Sequence, residues 1–128
     1  MENTENQNQP FTVSASEELY DLSMLEEMDD NEYVLEMLNI LLSEASEDLK
    51  EMRKAMQGGK IDVVCQTAHK LKTSAGIIQA GKLNTLLEQI ETIGKKGPEG
   101  KELAYLVESA AHQYLQIEKK LKIYMAAL

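Results

Sequence analysis

The feature that most constrains this chain is an apolar repeat of three and four residues: Ile61, Val64, Ala68, Leu71, Ala75 and Ile78 step by three, four, three, four and three. That spacing places six side chains on one stripe of an α-helix and on both faces of a strand, so only the helix buries them together. The stretch before it repeats the pattern with Val34, Leu38, Leu41, Ala45, Leu49, Met52 and Met56. Two further stretches follow, with Leu83, Leu86, Leu87, Ile90 and Ile93 in one and Leu103, Leu106, Ala110, Tyr114, Ile117, Leu121 and Tyr124 in the other. Four amphipathic helices joined by short breaks predict an all-α fold, an antiparallel up-and-down four-helix bundle.

The breaks set the boundaries. Helices are predicted over Asn31–Gln57, stopped by Gly58 and Gly59; over Ile61–Gln79, stopped by Ala80 and Gly81; over Lys82–Ile93, stopped by Gly94; and over Glu99–Ala127, with Pro98 suited to a first turn. Ser23 followed by Glu26 has the form of a capping box and predicts a short extra N-terminal helix, Ser23–Met28. Residues 1–15, rich in Asn, Gln and Thr without helical periodicity, predict a flexible tail or linker, leaving 16–128 as one domain. At 128 residues the chain has room for one good core.

Charge narrows the function. A net charge of −9 opposes nucleic acid and an anionic membrane surface as partners. No apolar run is long enough to span a bilayer, and the single cysteine, Cys65, fits a reducing compartment, so the expected location is the cytoplasm. The acids are unevenly placed. Residues 1–56 hold 15 acids and 3 bases, residues 57–82 hold 1 acid and 4 bases, and residues 83–128 hold 6 of each. The one basic segment carries His69 in the run CQTAHKLKTSAG.

One step from the seam residue Ala68, His69 falls on the shoulder of its helix. Cys65 and Gln66 lie a turn before it, Lys72 and Thr73 a turn after, and Gly76 two turns on. Apart from Lys72 these are short, so the imidazole stands clear with a cation beside it. An exposed neutral imidazole is a nucleophile, and Lys70 and Lys72 could offset the charge of a phosphoryl group placed on it. Two metal or nucleophile pairs share helical spacing, Cys65 with His69 and Glu108 with His112, but neither has a third partner in sequence. A histidine in such a place can also be an idle surface residue.

The run His69-Lys70-Leu71-Lys72-Thr73-Ser74-Ala75 resembles the signature of histidine-containing phosphotransfer (HPt) domains, H-x-L-K-G-S-[SA]. The acidic lead-in with its short helix, LSEASEDLKEMRKAMQGGKID, AGKL and LLEQIE resemble the family's layout, so the likeness covers about residues 19–126. It implies a phosphorelay carrier that is not itself an enzyme: His69 accepts a phosphoryl group from a receiver-domain aspartate and passes it to another. It implies Lys72, and secondarily Lys70, as phosphate-stabilising, and a docking surface of Leu22, Leu25, Cys65, Gln66, Thr73 and Gly76. The implied partners are response-regulator receiver domains, with a hybrid sensor histidine kinase as a further candidate, and the implied state is a monomer. No cofactor or metal is expected on this chain, because the receiver brings the acidic pocket and Mg²⁺. Two positions depart from the pattern. Thr73 stands where glycine is common, and Glu91 stands where a glutamine often orients the imidazole. The competing expectation is a helical adaptor that binds receivers without transfer.

Overall fold

The computed structural model describes residues 19–97 and 100–128. The expected tail over 1–15 and the role given to Pro98 and Glu99 lie outside the described residues. Among the described residues the chain is helical throughout, with α1 at Ser23–Glu26, α2 at Asn31–Gln57, α3 at Ile61–Ile77, α4 at Gly81–Lys95 and α5 at Gly100–Ala126.

The four long helices form a bundle in which α3 packs on α2 and α4, and α5 packs on α4 and α2. Their predicted stripes face inward: Leu38, Met52, Val64, Ala68, Leu87, Ile90, Leu103, Ile117 and Leu121 are fully buried. Full burial of an aliphatic side chain contributes about 1.5–3 kcal/mol, which supplies most of what holds helices of this composition together. Polar pairs record the register. Across α2 and α5, Ser46 meets Tyr114 and Glu118 while Arg53 meets Glu108; across α3 and α4, His69 meets Glu91 while Lys72 reaches Glu88.

The turns are built locally. Asp30 caps α2 by accepting the Tyr33 N–H at 3.1 Å. Gly59, at φ 71°, lets Lys60 N–H return to the Ala55 carbonyl at 2.9 Å, closing α2 as expected. The reversal after α3 comes earlier than the predicted Ala80-Gly81 break. Gln79 takes the left-handed conformation (φ 50°), Ala80 N–H bonds the Ala75 carbonyl at 2.8 Å, and Gly81 opens α4. Burial of Ile78 and Ala80 on either side holds Gln79 in that conformation.

Two expectations are corrected here. The Ser23–Glu26 capping box does not form: Ser23 is already inside α1, and its N–H donates to Asp21 Oδ1 at 2.9 Å, so Asp21 does the capping. Nor does Gly94 stop α4, which continues to Lys95 and gives way at Gly97, the residue with a positive φ of 72°. Gly94 serves packing instead, as described below. The short α1 is held at one end of the bundle, where Asp21 N–H bonds the Ile78 carbonyl at 2.9 Å and Tyr124 Oη donates to Glu26 at 3.0 Å.

Candidate functional site

The site lies on the seam between α3 and α4. Helical phase puts His69 one residue past the buried Ala68, and its side chain is 71 % exposed. On α4, Glu91 follows the buried Ile90 and points toward α3 from the edge of the core, with only 12 % of its side chain exposed. His69 Nδ1 lies 3.0 Å from Glu91 Oε2, and Lys72 Nζ lies 2.9 Å from Glu91 Oε1. One carboxylate therefore holds both polar groups of the α3 face.

Burial pushes the Glu91 carboxyl up, but the hydrogen bonds from Lys72 and His69 outweigh it and hold the group below its ordinary value. Glu91 is thus ionised, and an ionised carboxylate only accepts. The proton between the two groups belongs to Nδ1, so in the neutral ring the lone pair is on Nε2. Lys72 is held above the ordinary lysine value by its hydrogen bond to Glu91, so it is a fixed cation.

A close approach of α3 and α4 makes this geometry. A Cβ at Gly94 would collide with Cys65 Sγ and touch Ile61, so the helices meet there closely enough that any larger residue must displace the Cys65 side chain. Cys65 is one turn from His69, and Gly94 one turn from Glu91. Burial raises the Cys65 thiol, and the Glu91 charge raises it further, so Cys65 is a packing thiol and no nucleophilic partner for His69. The second pair is also accounted for: Glu108 holds Arg53 through two hydrogen bonds, and His112 pairs with Gln116 at 2.8 Å.

The remaining expected site residues divide. Gln66, Thr73 and Gly76 are exposed on α3, and Cys65 is half-buried. Leu22 and Leu25, expected on a docking rim, lie instead in the core at 6 % and 7 % exposure; Met24 and Met28 are the exposed apolar residues of that segment. Lys70 points toward α2, where its ammonium sits 3.1 Å from Asp48. Asp48 and Glu88, which lies 3.7 Å from Lys72, were not singled out in the sequence. Glu88 was within reach, being three residues before Glu91 on the same face of α4. Asp48 was not, because it requires the register of α2 on α3. Among the described residues, no group of three metal-ligating side chains is assembled.

The Hpt domain model matches residues 36–126. The chain belongs to the Hpt domain family. Hpt domains are phosphocarrier modules of two-component signalling that interact with receiver domains, and the matched span runs from α2 to the end of α5, including the whole His69 site. Comparison with curated proteins and with solved structures finds no match. No helix among the described residues of this Hpt domain is long and apolar enough to cross a membrane.

Proposed function

We propose that this Hpt domain is a phosphorelay intermediate that carries the phosphoryl group on Nε2 of His69, between the aspartate of one receiver domain and that of another. The observation that carries this reading is the pairing of His69 Nδ1 with Glu91 at 3.0 Å on an otherwise exposed side chain, which fixes the ring and leaves Nε2 as the nitrogen available to a partner. In the loading step the Nε2 lone pair attacks phosphorus, the P–O bond to the receiver aspartate breaks, and the aspartate leaves as a carboxylate. In unloading, a carboxylate oxygen of the second receiver attacks, the P–N bond breaks, and its electron pair returns to Nε2. The Nδ1 proton stays in place in both steps. The imidazolium that forms as Nε2 bonds to phosphorus lies against the Glu91 carboxylate, which stabilises it.

The receivers supply Mg²⁺ and the acidic pocket, and this domain contributes the nucleophile and an open approach. Thr73, Gln66 and Gly76 border that approach, and Lys72 is the cation nearest the phosphoryl group. The inverted order of the polar pairs supports an antiparallel, up-and-down bundle. The same proposal includes a monomer in the cytoplasm, with a hybrid sensor histidine kinase among its partners and no nucleic acid, in keeping with the net charge of −9.

Incubation with a phosphorylated receiver domain and Mg²⁺ is expected to place an acid-labile, base-stable phosphoryl group on the protein. His69→Gln should abolish it with the far-UV circular dichroism unchanged. Label that survives the substitution refutes the assignment, and binding without label identifies an adaptor.

A further inference from the structure

Lys70 and Lys72 are the cations that flank His69, and both are already committed. Lys70 sits on Asp48 at 3.1 Å; Lys72 sits on Glu91 at 2.9 Å with Glu88 at 3.7 Å. Each positive charge of the local sequence is therefore offset by a carboxylate from a neighbouring helix. A phosphoryl group arriving on Nε2 therefore finds both lysines that flank His69 in sequence already held by carboxylates.

The partner of Nδ1 adds a second constraint. An amide at this place could accept a proton from Nδ1 through its oxygen or donate one to a bare Nδ1 through its nitrogen; the Glu91 carboxylate can only accept. With phosphorus on Nε2, a ring that loses its Nδ1 proton would turn a lone pair toward an anion. The carboxylate therefore selects the Nδ1-protonated ring, the form in which the P–N bond breaks most readily, because neutral imidazole departs rather than an imidazolide anion. Around the pair stand Lys72 and Cys65 of α3 and Glu88 and Lys95 of α4. Of these, the hydrogen-bonded Lys72 is the one the carboxylate holds directly.

We propose that Glu91 makes this Hpt domain a short-lived phosphoryl carrier, built to pass the group on rather than to hold it. Its carboxylate keeps the phosphorylated His69 ring protonated and competes with the phosphoryl oxygens for Lys72. The inference rests on His69 being the acceptor, as proposed above, and makes Glu91 a positioning residue whose charge, and not only its shape, matters.

The test uses phosphoramidate, which labels a histidine without any receiver: Nε2 attacks phosphorus and ammonia leaves. The full chain and Glu91→Gln are labelled, and loss of the phosphoryl group to water at pH 8 is followed by ³¹P NMR. In that loss a water oxygen attacks phosphorus, the P–N bond breaks and inorganic phosphate is released. Glu91→Gln, designed to keep the hydrogen bond to Nδ1 and free Lys72, is expected to lengthen the lifetime about fivefold, the scale of one typical hydrogen bond. Independently of any variant, ¹⁵N NMR of the phosphorylated wild type should show Nδ1 carrying its proton at pH 8.

Equal lifetimes, a shorter lifetime in Glu91→Gln, or a deprotonated Nδ1 in the wild type would overturn the inference. So would failure of phosphoramidate to label His69, since an accessible Nε2 is required. If phosphoramidate labels His69 and a phosphorylated receiver does not, the relay reading fails while the lifetimes still decide the role of Glu91.

Discussion

Gly94→Ala is the substitution in which stability and site geometry meet. In an α-helix the change should stabilise by about 0.8–1 kcal/mol, because alanine loses less backbone freedom on folding. Here the new methyl would overlap Cys65 Sγ while merely touching Ile61, and forcing one carbon into a close-packed contact costs about 1–3 kcal/mol. The second effect is the larger, and a net loss of up to about 2 kcal/mol is expected. With a urea m-value of about 1.5 kcal/mol/M, the unfolding midpoint should fall by up to about 1.3 M at unchanged m. The decisive comparison is a double-mutant cycle with Cys65→Ala, which removes the sulfur that the methyl would strike. The two changes should couple favourably by about 1–2 kcal/mol, the double variant being more stable than the sum predicts. If Gly94→Ala raises the midpoint, or the two changes add independently, the close approach does not set the α3–α4 spacing. In that case the claim that it places Glu91 against His69 fails too.

Tyr114 is buried with its hydroxyl on the Leu42 carbonyl, Ser46 and Glu118, so Tyr114→Phe should cost about 1 kcal/mol in chemical denaturation; no loss would show that the network does not tie α2 to α5. Burial pushes that hydroxyl up to about 12, so an ultraviolet titration should find one phenol ionising far above 10, and Tyr114→Phe should remove it. Glu91 is held below its ordinary value of 4.5, so its bonds to Lys72 and His69 stabilise the fold above that pH and are lost as pH falls through the lowered value. Glu91→Gln should accordingly flatten the stability curve below about pH 4.5, and an unchanged acid limb would count against the pairing. Thr73 is exposed on α3, so Thr73→Gly should cost at most about 0.5 kcal/mol of stability. Its transfer rate from a phosphorylated receiver should rise, and an unchanged rate would show that the methyl does not crowd the approach.

The long helices were legible because their stripes are long. Seven apolar positions in α2 and six in α3 leave no alternative period, and nearly all of those residues are buried. The ends were harder. Ser23 and Glu26 have the right spacing for a capping box, but Asp21 accepts the Ser23 N–H and Glu26 accepts from Tyr124, and a local motif cannot show which acceptor is taken. Gly94 has the composition of a stop signal, and nothing within α4 reveals that Cys65 will lie opposite it. His69 and Glu91 were both found, one from helical phase and its short neighbours and the other from the resemblance. The charge of the site is not legible in the chain alone. Residues 57–82 are the only basic stretch, yet Asp48, Glu88 and Glu91 come from helices on either side and offset its two lysines at the histidine. Leu22 and Leu25 resisted reading for a similar reason, since a four-residue helix has too few turns to declare which face it buries.

The bond between Tyr124 and Glu26 has a mechanical meaning beyond holding α1 down. Tyr20, Asp21 and Tyr124 line one cleft, so the first and last parts of the described chain meet at one place on the bundle. A pull transmitted through Tyr20 or through Tyr124 would reach the domain at nearly the same point. Tension applied there acts on one end of the bundle at a single point rather than stretching it between two, so the four long helices carry little of the load.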